Sequence, residues 1–162
     1  MRRPTEDREL RARYLAEVLA TLYPTTDGGS LAEFVAVPNA RRPRLLVPAG
    51  SRRVAAGAVK RYAQPAARSA RFKRDLAALA LRTGADRALL RDRITVTGAG
   101  SVAEHLCAVL DRDVTVSVHI GPARANRKPV LQLLDADGTT VGFAKLGTNA
   151  LTRRLVRWKR WR

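Results

Sequence analysis

What this chain has little of narrows the reading before any motif does. Aromatic residues make up only 5% of it, so leucine, valine and alanine must fill whatever core forms. Cys107 is its one cysteine. No intramolecular disulfide is therefore open to it, which suits a reducing compartment and leads to an expected cytoplasmic location. No apolar run approaches the roughly 18 residues that cross a bilayer, so no membrane span is expected. The opening MRRPTEDRELRARYL is charged but lacks the apolar stretch of a signal peptide. Acid is scarce as well: 14 acidic residues face 31 basic ones, a net charge of +17 on 162 residues.

What is present is enough for a core. Hydrophobic residues are 46% of the chain, typical of a globular protein and not of a disordered one. The length suits one domain, or one domain and part of a second. The charge favours polyanions: nucleic acid, anionic lipid or a phosphorylated ligand. Arginine far outnumbers lysine and alanine is abundant. High-GC codon usage produces the same skew, so a merely solvated basic surface fits the composition equally well.

Apolar spacing predicts a helix over 6–21, with Leu10, Tyr14, Leu15, Val18, Leu19 and Leu22 recurring at helical intervals. Pro24 and Asp27-Gly28-Gly29 end it. A small β-hairpin follows, Phe34–Val37 and Arg44–Val47. Ser51 can cap a helix over about 52–62. A further helix is expected over about 67–83, carrying Phe72, Leu76, Leu79 and Ala80, with Gly84 at its C-terminal cap. These two helices display Arg52, Arg53, Lys60, Arg61, Arg68, Arg71, Lys73 and Arg74, the densest basic stretch and the candidate polyanion contact. Little aromatic interleaving is available there for base stacking. Arg93–Thr97 reads as a strand. Ser101 and Glu104 make the S-x-x-E pattern of a capping box opening a helix to about Leu110, with Val102, Leu106 and Leu110 inward.

The carboxy-terminal third is the most legible. Val114, Val116, Val118 and Ile120 alternate with Thr115, Ser117 and His119, the signature of a strand with one buried face. After a loop, 121–128, Pro129–Leu134 is a second strand. Asp135-Ala136-Asp137-Gly138 is a tight turn and Thr140–Leu146 a third strand, completing an antiparallel meander. On the third strand Val141, Phe143 and Lys145 share a face. A lysine there either meets an anion or reaches water at a sheet edge. The expected fold class is α+β, with a helical region and hairpin over 1–98 and a three-stranded sheet with the start of a helix over 99–162.

The runs VSVHIGPARANRKPVLQLL (116–134), GFAKLG (142–147) and NALT (149–152) resemble the amino-terminal part of actinobacterial proteins of the aminoglycoside phosphotransferase family. Leu46–Arg53 resembles their leader region. The resemblance implies a kinase-like N-lobe that binds ATP or GTP. Lys145 would stand for the strand lysine on the α- and β-phosphates, and the loop over the phosphates would place Gly121, Arg124, Arg127 and Lys128 as nucleotide contacts. Phosphoryl transfer is catalysed mainly by positioning and charge neutralisation, which a lysine and a basic loop supply.

Downstream the family pattern stops. No H-x-D-type catalytic loop or metal-binding aspartate follows, and Lys159 falls about where the glutamate partner of the lysine would stand. The expectation is a truncated phosphotransferase-family protein that binds nucleotide without turning it over alone. Mg²⁺ would enter only if another chain supplied a C-lobe. No catalytic residue and no metal ligand are assigned. The alternative is a basic module that contacts nucleic acid or an anionic surface through the 52–74 patch and the WKRWR tail.

Overall fold

The computed structural model describes residues 4–24, 30–61, 78–84, 92–120 and 128–148, with 150 and 153. Three helices are delimited, α1 (Pro4–Leu22), α2 (Arg52–Arg61) and α3 (Val102–Leu110), and residues 78–83 are also helical. Among the described residues there are six strands: β1 (Ser30–Val37), β2 (Leu45–Pro48), β3 (Arg93–Gly98), β4 (Thr115–His119), β5 (Val130–Leu134) and β6 (Thr140–Lys145). The fold class is α+β, as the sequence predicts.

The strands form one sheet in the order β3-β1-β2-β4-β5-β6, every neighbour antiparallel. The expected three-stranded meander is therefore half of a larger sheet. Its β4 pairs with β2 of the hairpin, Leu45 opposite His119 and Leu46 opposite Val118. The free edge of β1 is taken by β3, from Ser30 opposite Gly98 to Val35 opposite Arg93. One sheet thus spans the expected boundary at 98/99. Local alternation specifies each strand but not which distant strand its backbone donors and acceptors will meet.

Register sorts the side chains onto two faces. Phe34, Ala36, Leu46, Val116, Val118, Leu131 and Leu133 are buried on one face, with Val18 and Leu22 of α1 and the partly buried Leu106 and Cys107 of α3 packed against it. On the other, Val35, Leu45, Val47 and Leu134 pack under Val54, Ala55, Ala58 and Val59 of α2, joined by Ala78 and Leu81. The expected inward set Val114, Val116, Val118 and Ile120 is buried, as the alternation requires. One expected inward position is not: Leu110 is 46% exposed at the end of α3. Among the helical residues 78–83, Leu79 is 56% exposed while Ala78, Ala80 and Leu81 are buried. Residues 78–83 are turned so that Ala78 and Leu81 meet α2 and the sheet, an outcome local periodicity cannot specify.

Local chemistry sets the element ends. The Ser101 hydroxyl accepts from the Glu104 amide at 3.2 Å, and Glu104 Oε2 accepts from the Ser101 amide at 3.1 Å. This satisfies two donors the start of α3 would otherwise leave unpaired. Asp135 Oδ1 accepts from the amides of Asp137 (3.1 Å) and Thr139 (2.8 Å), closing the β5–β6 turn. Gly138 has φ of +80°, a conformation that costs glycine nothing.

Candidate functional site

β6 is an edge strand, and Phe143 and Lys145 project from it into solvent on one face. Register places them beside β5 and β4: Lys145 lies opposite Val130, Phe143 opposite Gln132, and Val130 and Gln132 opposite His119 and Ser117. Phe143 is 52% exposed, unusual for a phenyl ring, and its centroid lies 6.4 Å from that of the His119 ring, edge to face at 85°. Among the described residues Lys145 has no carboxylate partner. Of the two sequence readings of this lysine, the edge position and exposure are what the structure displays, and its ammonium is free to meet an anion.

Beside these two side chains runs a chain of polar contacts, part-buried at His119 and Thr140 and fully buried at Gln132. The His119 Nε2–H donates to Gln132 Oε1 at 2.8 Å, and Gln132 Nε2 donates to Thr140 Oγ1, also at 2.8 Å. Ser117 Oγ donates to the Leu46 carbonyl at 3.1 Å. Gln132 is fully buried, so both ends of its amide need partners, and both have them. This chain holds the His119 ring that Phe143 meets. The sequence placed His119 only in the alternation of β4 and gave Gln132 and Thr140 no role of their own. Their shared face was implicit in the alternation of three strands, but only the register aligns them.

Burial pushes the His119 imidazole below its ordinary value of 6.5, with the Gln132 hydrogen bond pulling the other way. Between the lowered folded value and 6.5 the unfolded chain binds more protons than the folded one, so stability rises with pH there. The expected result is full stability from this group above about pH 6.5 and a decline below it, ending once His119 protonates within the fold. Urea midpoints at about pH 7.5 and about pH 5.5 check this. The drop should be smaller in His119→Gln than in the wild type.

The remaining expected contacts divide. Lys128 is half-buried and lies two residues before Val130, at the same end of the β5–β6 hairpin as Lys145. Gly121, Arg124 and Arg127 lie outside the described residues. Of the basic stretch, Arg52, Arg53 and Lys60 are exposed on α2, and Arg61 closes the helix. Arg52 lays its guanidinium against Gly84, the expected C-terminal cap, which has φ of +84°. Arg68, Arg71, Lys73 and Arg74 fall outside the described residues. Among the described residues no group of three or more His, Cys, Asp or Glu could hold a metal ion, and no helix is long and apolar enough to cross a membrane.

Comparison with known proteins found no matching family model, curated protein or solved structure.

Proposed function

We propose that this chain is the nucleotide-binding part of a cytoplasmic phosphotransferase of the aminoglycoside phosphotransferase type, seating ATP or GTP against the exposed Phe143 and Lys145 of β6 without turnover of its own. The observation that carries the reading is the pairing of Phe143 and Lys145, an exposed aromatic and a cation without a carboxylate partner among the described residues, on one face of one strand. The ring offers an apolar surface for a base, and the ammonium offers a charge for phosphate oxygens. Lys128 brings a second cation to the same end of the hairpin. The His119–Gln132–Thr140 chain keeps the strands in register, so the platform is set before ligand arrives.

The test is thermal unfolding with Mg-ATP, in the wild type and in Lys145→Ala. At ATP about 100-fold above Kd, linkage adds about 2.7 kcal/mol, a rise of several degrees in Tm for a chain of this size. Lys145 is exposed, so the substitution should leave Tm without ligand unchanged and abolish most of the rise. No rise in the wild type at millimolar ATP, or an equal rise in the variant, would overturn the reading.

A further inference from the structure

At the opposite end of the β5–β6 hairpin a second basic feature is built differently. Arg53, Gly57 and Lys60 stand at i, i+4 and i+7 on α2, one stripe of the helix. The β5–β6 turn sits on this stripe. A side chain added at Gly57 would meet the Gly138 carbonyl, and one added at Gly138 would meet the Arg53 carbonyl. Because both residues are glycine, turn and helix touch backbone to backbone. The groove beside that contact has a volume of about 350 Å³ and is lined by Arg53, Gly57, Lys60, Arg82, Asp137 and Gly138. Arg82 arrives from the helical residues 78–83, so three separate elements deliver its charges.

Three cations share this groove with one carboxylate. Arg53 and Asp137 approach to 3.7 Å with side chains 77% and 81% exposed, a pair too solvated to neutralise much. Among the described residues Lys60 and Arg82 have no carboxylate partner at all. Like charges gathered in one groove repel, and an anion seated between them relieves that repulsion. Among the described residues no aromatic side chain lines it, and the charges they bring give it the chemistry of a phosphate seat. From Gly138 to Lys145 is seven residues of extended chain, about 23 Å, so this is not the phosphate position proposed for the nucleotide.

We infer that the groove seats backbone phosphates of a nucleic-acid strand through Arg53, Lys60 and Arg82, without reading its bases. Two features favour a strand over a single phosphate. The groove is open and its cations are exposed, so one free phosphate would gain little there. The chain as a whole carries +17, and a polyanion draws on that field by releasing condensed counterions.

The experiment is fluorescence anisotropy of the full chain with a labelled mixed-sequence single-stranded oligonucleotide over a salt series. Three phosphate contacts contribute a slope of roughly −2 in log K against log salt, about a 20-fold loss of affinity between 50 and 200 mM. Arg53→Gln/Lys60→Gln/Arg82→Gln should lose that share of the slope, and all three side chains are exposed, so the fold should be unaffected. The charge-matched control is Arg41→Gln/Arg42→Gln/Arg44→Gln, three other exposed arginines. A control that keeps most of the wild-type slope supports the groove as a site. An unchanged slope in the groove variant, or an equal loss in the control, overturns it. So does binding to phosphatidylserine-rich vesicles or to inorganic phosphate with none to the oligonucleotide.

Discussion

Replacing Phe34 with alanine is expected to lower the free energy of unfolding by about 3–5 kcal/mol and to loosen β4 and β5 along with β1. Phe34 is 2% exposed and meets the Tyr23 ring edge to face, centroids 5.8 Å apart. It belongs to the same buried cluster as Val18 and Leu22 of α1, Leu46 of β2, Val116 and Val118 of β4, and Leu131 of β5. In a chain with few aromatics each buried ring carries a large share of apolar area. Against a total stability of about 5–15 kcal/mol the loss leaves a marginal fold. Chemical denaturation gives the magnitude. Amide hydrogen exchange at Val116 and Val118 gives the reach. Exchange that stays slow in β4 while β1 opens would mean that the halves on either side of 98/99 fold independently, contrary to the shared sheet.

The second large effect concerns sign. Gly57 lies inside α2, where alanine is ordinarily preferred by about 1 kcal/mol. Here Gly57→Ala is expected to destabilise. The added methyl would run into the Gly138 carbonyl, a backbone atom held by the Asp135 turn and unable to swing aside as a side chain would. Overpacking of this kind costs about 1–3 kcal/mol and occasionally more, enough to outweigh the helical gain. Gly50→Ala is the comparison, since a methyl there meets nothing within 4 Å. Denaturant midpoints should fall for the first and barely move for the second. A Gly57→Ala chain more stable than wild type would show that helix and turn are not in backbone contact, and the groove beside them would lose its floor.

The two readings of anion chemistry draw on different parts of the same hairpin. Phe143 and Lys145 stand at one end of β6, and the Arg53–Lys60–Arg82 groove surrounds the turn at the other. They fail separately: Lys145→Ala tests only the first, and the groove substitutions test only the second. The first rests on a motif visible in the sequence. The second has Arg53 and Lys60 in a stretch singled out by charge, but Arg82 and Asp137 were not part of that patch.

Much of the local structure was legible in the sequence because its causes are local. Ser101 and Glu104 announce the capping box of α3, since both hydrogen bonds close within one turn of chain. Asp135 and Gly138 announce the β5–β6 turn, because side-chain acceptors and positive φ are needed within four residues. Alternation from Val114 to Ile120 announces a strand and its valine–isoleucine core face, although Ser117 on the other face is buried as well. The sequence by itself determined these elements, and with them the α+β class. The tertiary structure decided the rest: that β2 meets β4 and β1 meets β3, that Leu79 and Leu110 face outward, that the His119 ring meets Phe143, and that Gly57 carries a turn on its back. The reason is physical. Capping, turn chemistry and period depend on neighbours a few residues away. Sheet order, helix rotation and backbone contact depend on which distant surfaces bury the most apolar area together, and no short window of sequence contains both partners.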